Sequence, residues 1–335
     1  MRTQGRAGRF LRLLIVPLVL AGGLTGVASA ASAASCENWT GVPPPSPGST
    51  GNVLDGVALV SACDAWAVGF GSGGGSNQTL IEHWNGTAWT VVPAPSPGTA
   101  FSTLASVRAV SATDAWAVGS FSNGGGDQTL ILHWNGTTWQ QVASPSPGSS
   151  FSDLRAVRTV SANDAWAVGD YSNGSGNQTL ILHWDGTSWQ QVPSPSPGFG
   201  ADLAAVGATS TSNAWAAGAT DNGSADRTLI LHWDGSTWAQ TPSPNQGGAG
   251  AANSLTGVAA TSPTNAWAVG RSATGLVHMA LILHWDGMKW ARVPAPHPGT
   301  TSDLFAVAAA SANNAWAVGT FTGSGPTQAL ALHCC

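Results

Sequence analysis

Charge is scarce in this 335-residue chain: Asp, Glu, Lys and Arg make up 8% of it and the net charge is -5. With no basic stripe to neutralise a run of phosphates, DNA and RNA are poor partners. Tyrosine occurs once, as Tyr171, and cysteine four times. Beyond the first 36 residues there is no long apolar run, which argues against a membrane-spanning helix in the body of the protein. The solvated surface must therefore be built from Ser, Thr, Asn, Gln and Gly. What the chain has in abundance is glycine (43 residues) and tryptophan (17 residues), and both recur on a fixed period.

The first residues read as an export signal. Arg2, Arg6, Arg9 and Arg12 precede an apolar stretch from Leu13 to about Ala21, and small residues follow through Ala34. Cleavage after Ala30 or Ala33 fits an Ala-x-Ala site. The expected organisation is a signal peptide with a short leader over residues 1–35 and one folded domain over residues 36–335. The expected location is extracellular, with no membrane contact after cleavage.

That domain is a repeat. Asp/Asn-Ala-Trp-Ala-Val/Ala-Gly returns six times, with its tryptophan at Trp66, Trp116, Trp166, Trp215, Trp267 and Trp316, in steps of 50, 50, 49, 52 and 49 residues. A unit of this length that cannot bury its own apolar faces must stack on copies of itself. The third unit shows four short strands: one from Leu154, then Asp164–Gly169, Thr179–Trp184 and one around Trp189. In the second, Trp166 and Val168 point one way and Ala165 and Ala167 the other, so bulk on one face meets small residues on the next sheet. In the third, Leu180, Leu182 and Trp184 share one face and Ile181 and His183 the other, as a sheet lying between two others requires. Asn-Gly or Asp-Gly at 85–86, 135–136, 185–186, 234–235 and 286–287 marks a hairpin between the third and fourth strands. Pro-Ser-Pro-Gly at 95–98, 145–148 and 195–198 ends a fourth strand and starts an exposed connection. Four antiparallel strands in each of six units is an all-β, six-bladed β-propeller.

The two ends carry complementary fragments. Asn38-Trp39 through Gly48 matches a fourth strand such as Ala88-Trp89 through Gly98, while Leu330–His333 is a third strand with nothing after it. The N-terminal strand is expected to complete the last blade and close the ring, removing an open sheet edge. Repeat alignment puts Cys335 at the place of Asn85 and Cys36 at that of Gly86, and Cys334 at that of Trp84. For an exported chain this suggests the bridges Cys36–Cys335 and Cys63–Cys334, with the partners of Cys334 and Cys335 exchanged as the alternative.

Trp-Ala-Val-Gly, a polar loop, Leu-Ile-Leu-His-Trp-Asn/Asp-Gly-Thr-x-Trp and Val-Pro together resemble the kelch repeat over residues 39–333, within the wider group of the galactose oxidase central domain. The chain departs from it in lacking the Gly-Gly pair: Gly69, Gly119, Gly169, Gly218, Gly270 and Gly319 are each followed by another residue. Galactose oxidase chemistry would need two copper-binding tyrosines, so the single Tyr171 excludes it. The resemblance implies the fold and a secreted bacterial repeat protein; from the residue inventory no cofactor and no metal are expected.

Symmetric positions are filled for packing, so a localised function belongs where the repeats disagree. His83, His133, His183, His232, His284 and His333 recur and read as structural, and the recurring Asp64, Asp114 and Asp164, replaced by Asn213, Asn265 and Asn314, read as turn formers. The odd residues are Asp170, Tyr171, Asp221, Asp226, Arg271 and His278, on the face where connections between strands two and three open. Asp153, Asp202 and Asp303, where blades begin, could line a channel mouth beside them. Glu82 replaces a leucine found at the five related positions and reads first as a residue with a local partner or at an exposed edge. These residues point to a monomeric, non-catalytic binding or scaffold module for extracellular glycan or protein, with Asp170, Tyr171, Asp221, Arg271 and His278 as binding candidates. A carbohydrate-active hydrolase or lyase using paired carboxylates at the channel mouth is the main alternative, and a purely structural cell-surface protein the third.

Overall fold

The computed structural model describes residues 41–334, in which there are 23 strands and no helix. The strands form six antiparallel units at the expected positions, five of four strands and a sixth of three. The first two units are joined by one parallel pair, Asn77 with Phe101. In the third, the strands are Ser152–Ser161, Asp164–Ser172, Asn177–Trp184 and Trp189–Gln191. First strands of successive blades pack on one another, whereas the short fourth strands pair only with the third strand of their own blade. The first strands therefore lie where the blades converge, and the fourth strands lie at the periphery. This is the β-propeller arrangement.

Cores form between blades, as the alternation of large and small residues requires. Trp166, Val168 and Ile181 of blade three share one cluster with Leu203, Ala214, Ala216, Leu229, Leu231 and Trp238 of blade four. Trp116 and Trp215 enter the next blade in the same way. The Trp166 ring lies 5.0 Å from that of Trp233 and meets Trp238 edge-on at 5.2 Å, while its other face rests on His183 at 4.2 Å. The six histidines have a structural role: each stacks on the tryptophan of its own blade, and Nε2 bonds the residue that opens the second strand. That partner is Asp164 for His183, at 3.0 Å, and Asn213 for His232, at 2.8 Å.

Two glycine positions follow from close approach and turn geometry. A side chain at Gly169 would run into the carbonyl oxygen of Asp153, because the first strand bulges toward it between Leu154 and Ala156. Gly186 has φ of 93° in the hairpin turn. The aspartate before it acts through its side chain: Asp185 Oδ1 accepts the Thr187 hydroxyl at 2.6 Å and the amides of Ser188 and Thr187 at 2.9 and 2.8 Å, and these bonds, the hydroxyl first, hold its pKa down at about 2. The proline-rich connection is pinned by Thr179, whose hydroxyl lies 2.8 Å from the hydroxyls of both Ser194 and Ser196.

Symmetry fails at the two ends of the array. Trp316 is 51% exposed and Val318 47%, against 1% or less for Trp66, Trp116, Trp166 and Trp215, and on blade one Val57 and Leu59 are 61% and 77% exposed. Among the described residues the expected ring closure is therefore not seen: the tryptophan face of blade six has no blade packed on it. Of the segment expected to complete blade six, Asn38 through Gly48, residues 38–40 lie outside the described residues, as do the expected leader, Cys36 and Cys335, and residues 41–48 form no strand. The expected Cys63–Cys334 bridge is absent, and both thiols are exposed and unbonded, because the end blades that carry them are not packed together. Between blades five and six, where other interfaces hold two tryptophans, there is a cavity of about 250 Å³ lined by Trp267, Val269, Ile282, Pro294, Leu332 and Cys334.

The inter-blade contacts predict a contrast. Trp166→Ala should lower stability by about 3–5 kcal/mol and Trp316→Ala by less than about 1 kcal/mol, measured by urea unfolding. Equal losses would show that the blade-six face is covered in solution.

Candidate functional site

The residue after the repeat glycine is the first to leave the inter-blade core, and here the blades diverge: Phe70, Ser120, Asp170, Ala219, Arg271 and Thr320. It is paired across the first strand with Val53, Thr103, Asp153, Asp202, Ser254 and Asp303 respectively. Both rows lie at the end of the blades that carries the connection between strands two and three, so a substitution in either row is displayed on one rim.

At the seam of blades three and four these rows bring carboxylates together. Asp170 is fully buried. Arg155 Nη2 lies 2.9 Å from Asp170 Oδ1, an ion-pair contact without hydrogen-bond alignment, and Arg155 Nη1 lies 3.3 Å from Asp202 Oδ2. Asn177 donates to Asp170 Oδ2 at 3.0 Å. Burial pushes the Asp170 carboxyl up to about 6, with Arg155 opposing the rise and Asp202 and Asp153 adding to it by repulsion. Burial also raises Asp202, with Arg155 opposing the shift and Asp226 adding to it, and raises Asp153, where Ser120 opposes the shift and Asp127 repels. Five carboxylates thus influence one another along the rim, with Arg155 the one cation paired among them.

A second cluster spans blades five and six and has the opposite balance. His278 Nδ1 lies 3.1 and 3.2 Å from the two oxygens of Asp303, and Arg271 Nη1 lies 3.5 Å from Oδ1. Two basic side chains from blade five converge here on one carboxylate from blade six.

The structure divides the expected candidates. Asp170, Arg271 and His278 enter these seam clusters together with Asp153, Asp202 and Asp303. Tyr171, adjacent to Asp170 in a strand, points to the opposite face: it is half-buried against the core around Trp184 and borders a polar groove with Gln178, Gln191 and Ser194. Asp221 is exposed and its Oδ1 accepts the Gly223 amide at 2.7 Å, a turn contact. Arg155 and Asn177 were not anticipated. Arg155 could have been read from its own register position, where the other blades carry Asp55, Ala105, Ala204, Thr256 and Phe305. Glu82 is neither exposed nor partnered: it is buried, neither carboxylate oxygen is hydrogen-bonded, and burial raises its pKa. No group of three or more His, Cys, Asp or Glu among the described residues is placed to hold a metal ion.

No protein-family model matches the sequence, and no curated protein matches it. Solved structures do match in fold. A structure of YCF48 bound to D1 peptide superposes with a TM-score of 0.51 at 15% identity, covering 82% of this chain and 81% of that one. The GH74 xyloglucanase of Xanthomonas campestris gives 0.52 at 13%, covering 79% of this chain and 44% of the enzyme. A PL25 ulvan lyase bound to -[GlcA(1-4)Rha3S]- gives 0.53 at 9%, covering 82% and 78%. The chain has a β-propeller fold. At these identities the likeness extends to the fold alone.

The acidic seam makes stability depend on pH. Unfolded Asp170 titrates near 3.8 and folded Asp170 near 6, so between these values the folded protein keeps a proton that the unfolded chain has lost. The stabilisation is complete below pH 4 and is lost as pH rises through 6, by roughly 2–3 kcal/mol. Asp170→Asn should flatten that slope in urea midpoints measured from pH 4 to 7, leaving only the smaller contributions of Asp153, Asp202 and Glu82. An unchanged slope would show that Asp170 is not the titrating group.

Proposed function

We propose that this protein is a secreted, non-catalytic binding module for an extracellular glycan or protein, and that its ligand face is the rim carrying the two seam clusters. The observation that supports this is the Asp153–Asp170–Arg155–Asp202 constellation. It breaks the repeat symmetry, buries a carboxylate at an energetic cost, and adds nothing that the other blades need in order to pack. A row of carboxylates fixed by one arginine offers acceptors to sugar hydroxyls or to lysine and arginine side chains. The basic Arg271–His278 pair across the rim offers donors. Export by the residue 1–35 leader and kinship with kelch-like repeats belong to the same proposal, on the sequence motifs given above.

One observation favours a second reading. A buried aspartic acid with its pKa near 6, beside other carboxylates, is a candidate proton donor for a carbohydrate-active hydrolase or lyase.

The test is a glycan, cell-wall-polysaccharide and basic-peptide array, followed by incubating each hit with the protein to look for products. Binding without turnover, weakened at least about tenfold by Arg155→Ala, is the expected result. Product formation with a pH limb near 6 that Asp170→Asn abolishes would establish the enzyme reading instead. Binding that neither Arg155→Ala nor Arg271→Ala alters would remove the rim as the ligand face.

A further inference from the structure

Two arginines on the inner strands take no part in either rim cluster. Arg108 and Arg158 occupy the same register position on the first strands of blades two and three, opposite Trp116 and Trp166. These strands are in contact: the Val157 amide donates to Ser106 Oγ at 3.4 Å. In each strand the preceding valine, Val107 or Val157, is buried in the inter-blade core, so the arginine that follows points to the other side. Blades one, four, five and six carry Ala58, Gly207, Ala259 and Ala308 at this position. The fold therefore has no need of an arginine there.

Among the described residues neither guanidinium makes an ion pair, and Arg158 Nε is buried with no hydrogen-bond partner. Arg108 is exposed and Arg158 half-buried; partial desolvation lowers the pKa of both, and for Arg108 the charge of Arg158 lowers it further. Two like charges brought together on the inner wall of a protein this poor in charge are unfavourable unless something neutralises them.

We propose that Arg108 and Arg158 form a binding site for a doubly charged oxyanion, a sulfate or phosphate group, on the inner wall of the propeller. Two planar guanidinium forks match a tetrahedral dianion in charge and in donor geometry. The argument does not depend on the rim, whose residues are different. The group could be a free inorganic ion or a substituent on a larger ligand, and the chemistry of recognition is the same.

Titration calorimetry with sodium sulfate and with sodium phosphate, against sodium acetate and sodium chloride at matched ionic strength, tests this on the whole protein. The variants are Arg108→Ala, Arg158→Ala and the double substitution, which install a residue that other blades already carry, so folding is not at risk. Saturable binding of a dianion, weaker for acetate and lost in the double variant, is expected. Arg158→Lys should bind more weakly than the parent and more tightly than Arg158→Ala. A sulfated oligosaccharide that binds more tightly than sulfate in the parent and not in the double variant would identify the larger ligand as the source. Sulfate also stabilises proteins generally by exclusion from their surface, so melting temperature is the second readout. A sulfate-induced rise of equal size in parent and double variant, with no saturable heat, would overturn the proposal. So would a double variant that is markedly less stable in the absence of any oxyanion, since that would make the arginines structural.

Discussion

In blades one to four the second-strand tryptophan lies across a pair of alanines on the next blade, with two further indoles beside it and a histidine beneath. Burying about 200 Å² of indole is worth about 5 kcal/mol as an upper figure. The N–H groups of Trp66, Trp116, Trp166, Trp215 and Trp267 find no acceptor, a loss of about 1–3 kcal/mol each. The area term is the larger, so these rings act as shape. Third-strand tryptophans are placed differently: Trp184 donates to the Ala162 carbonyl at 3.1 Å and Trp233 to that of Thr211 at 3.0 Å, fastening the end of each hairpin to the turn before the second strand. The conserved geometry of the wedge demands alanine on one side and glycine at the strand exit. That is why the hexapeptide tolerates so little change between blades.

Because the wedge is supplied by the repeat, residues just beyond the glycine are released from packing. The rim clusters use this freedom. Arg155, Asp170 and Asp202 lie on two blades and three strands, yet the fixed spacing of the blades holds them within ion-pair distance. The same scaffold places Arg271 and His278 on Asp303 at another seam. Both clusters form across seams, and no single repeat contains a complete one.

The sequence made the blades legible because their signals are local and repeated: the tryptophan period, strand alternation and the Asp-Gly turns each locate an element within a residue or two. Asp170, Arg271 and His278 stood out for the complementary reason, as breaks in the repeat. Arg155 escaped because its importance lies in reaching Asp202, 47 residues away and on another blade, a contact that no local pattern encodes. Tyr171 was grouped with Asp170 by adjacency, although neighbours in a strand face opposite sides. Repeat positions suggest the Cys63–Cys334 bridge only on the premise of a closed ring, and no local pattern encodes the burial of the face that carries Glu82. Residues at the ends of the array are those for which the repeat gives least guidance, since each lacks one neighbour.

The claim that stability resides in wedges between blades is tested most directly by native-state hydrogen exchange, followed residue by residue. The account predicts that second-strand amides of blades two to five, around Trp116, Trp166, Trp215 and Trp267, exchange only through the largest openings of the protein. Those of blade six, around the half-exposed Trp316, should exchange markedly faster. Equal protection in all six blades would contradict it, since the amides would then be protected by something other than the wedge that blade six lacks.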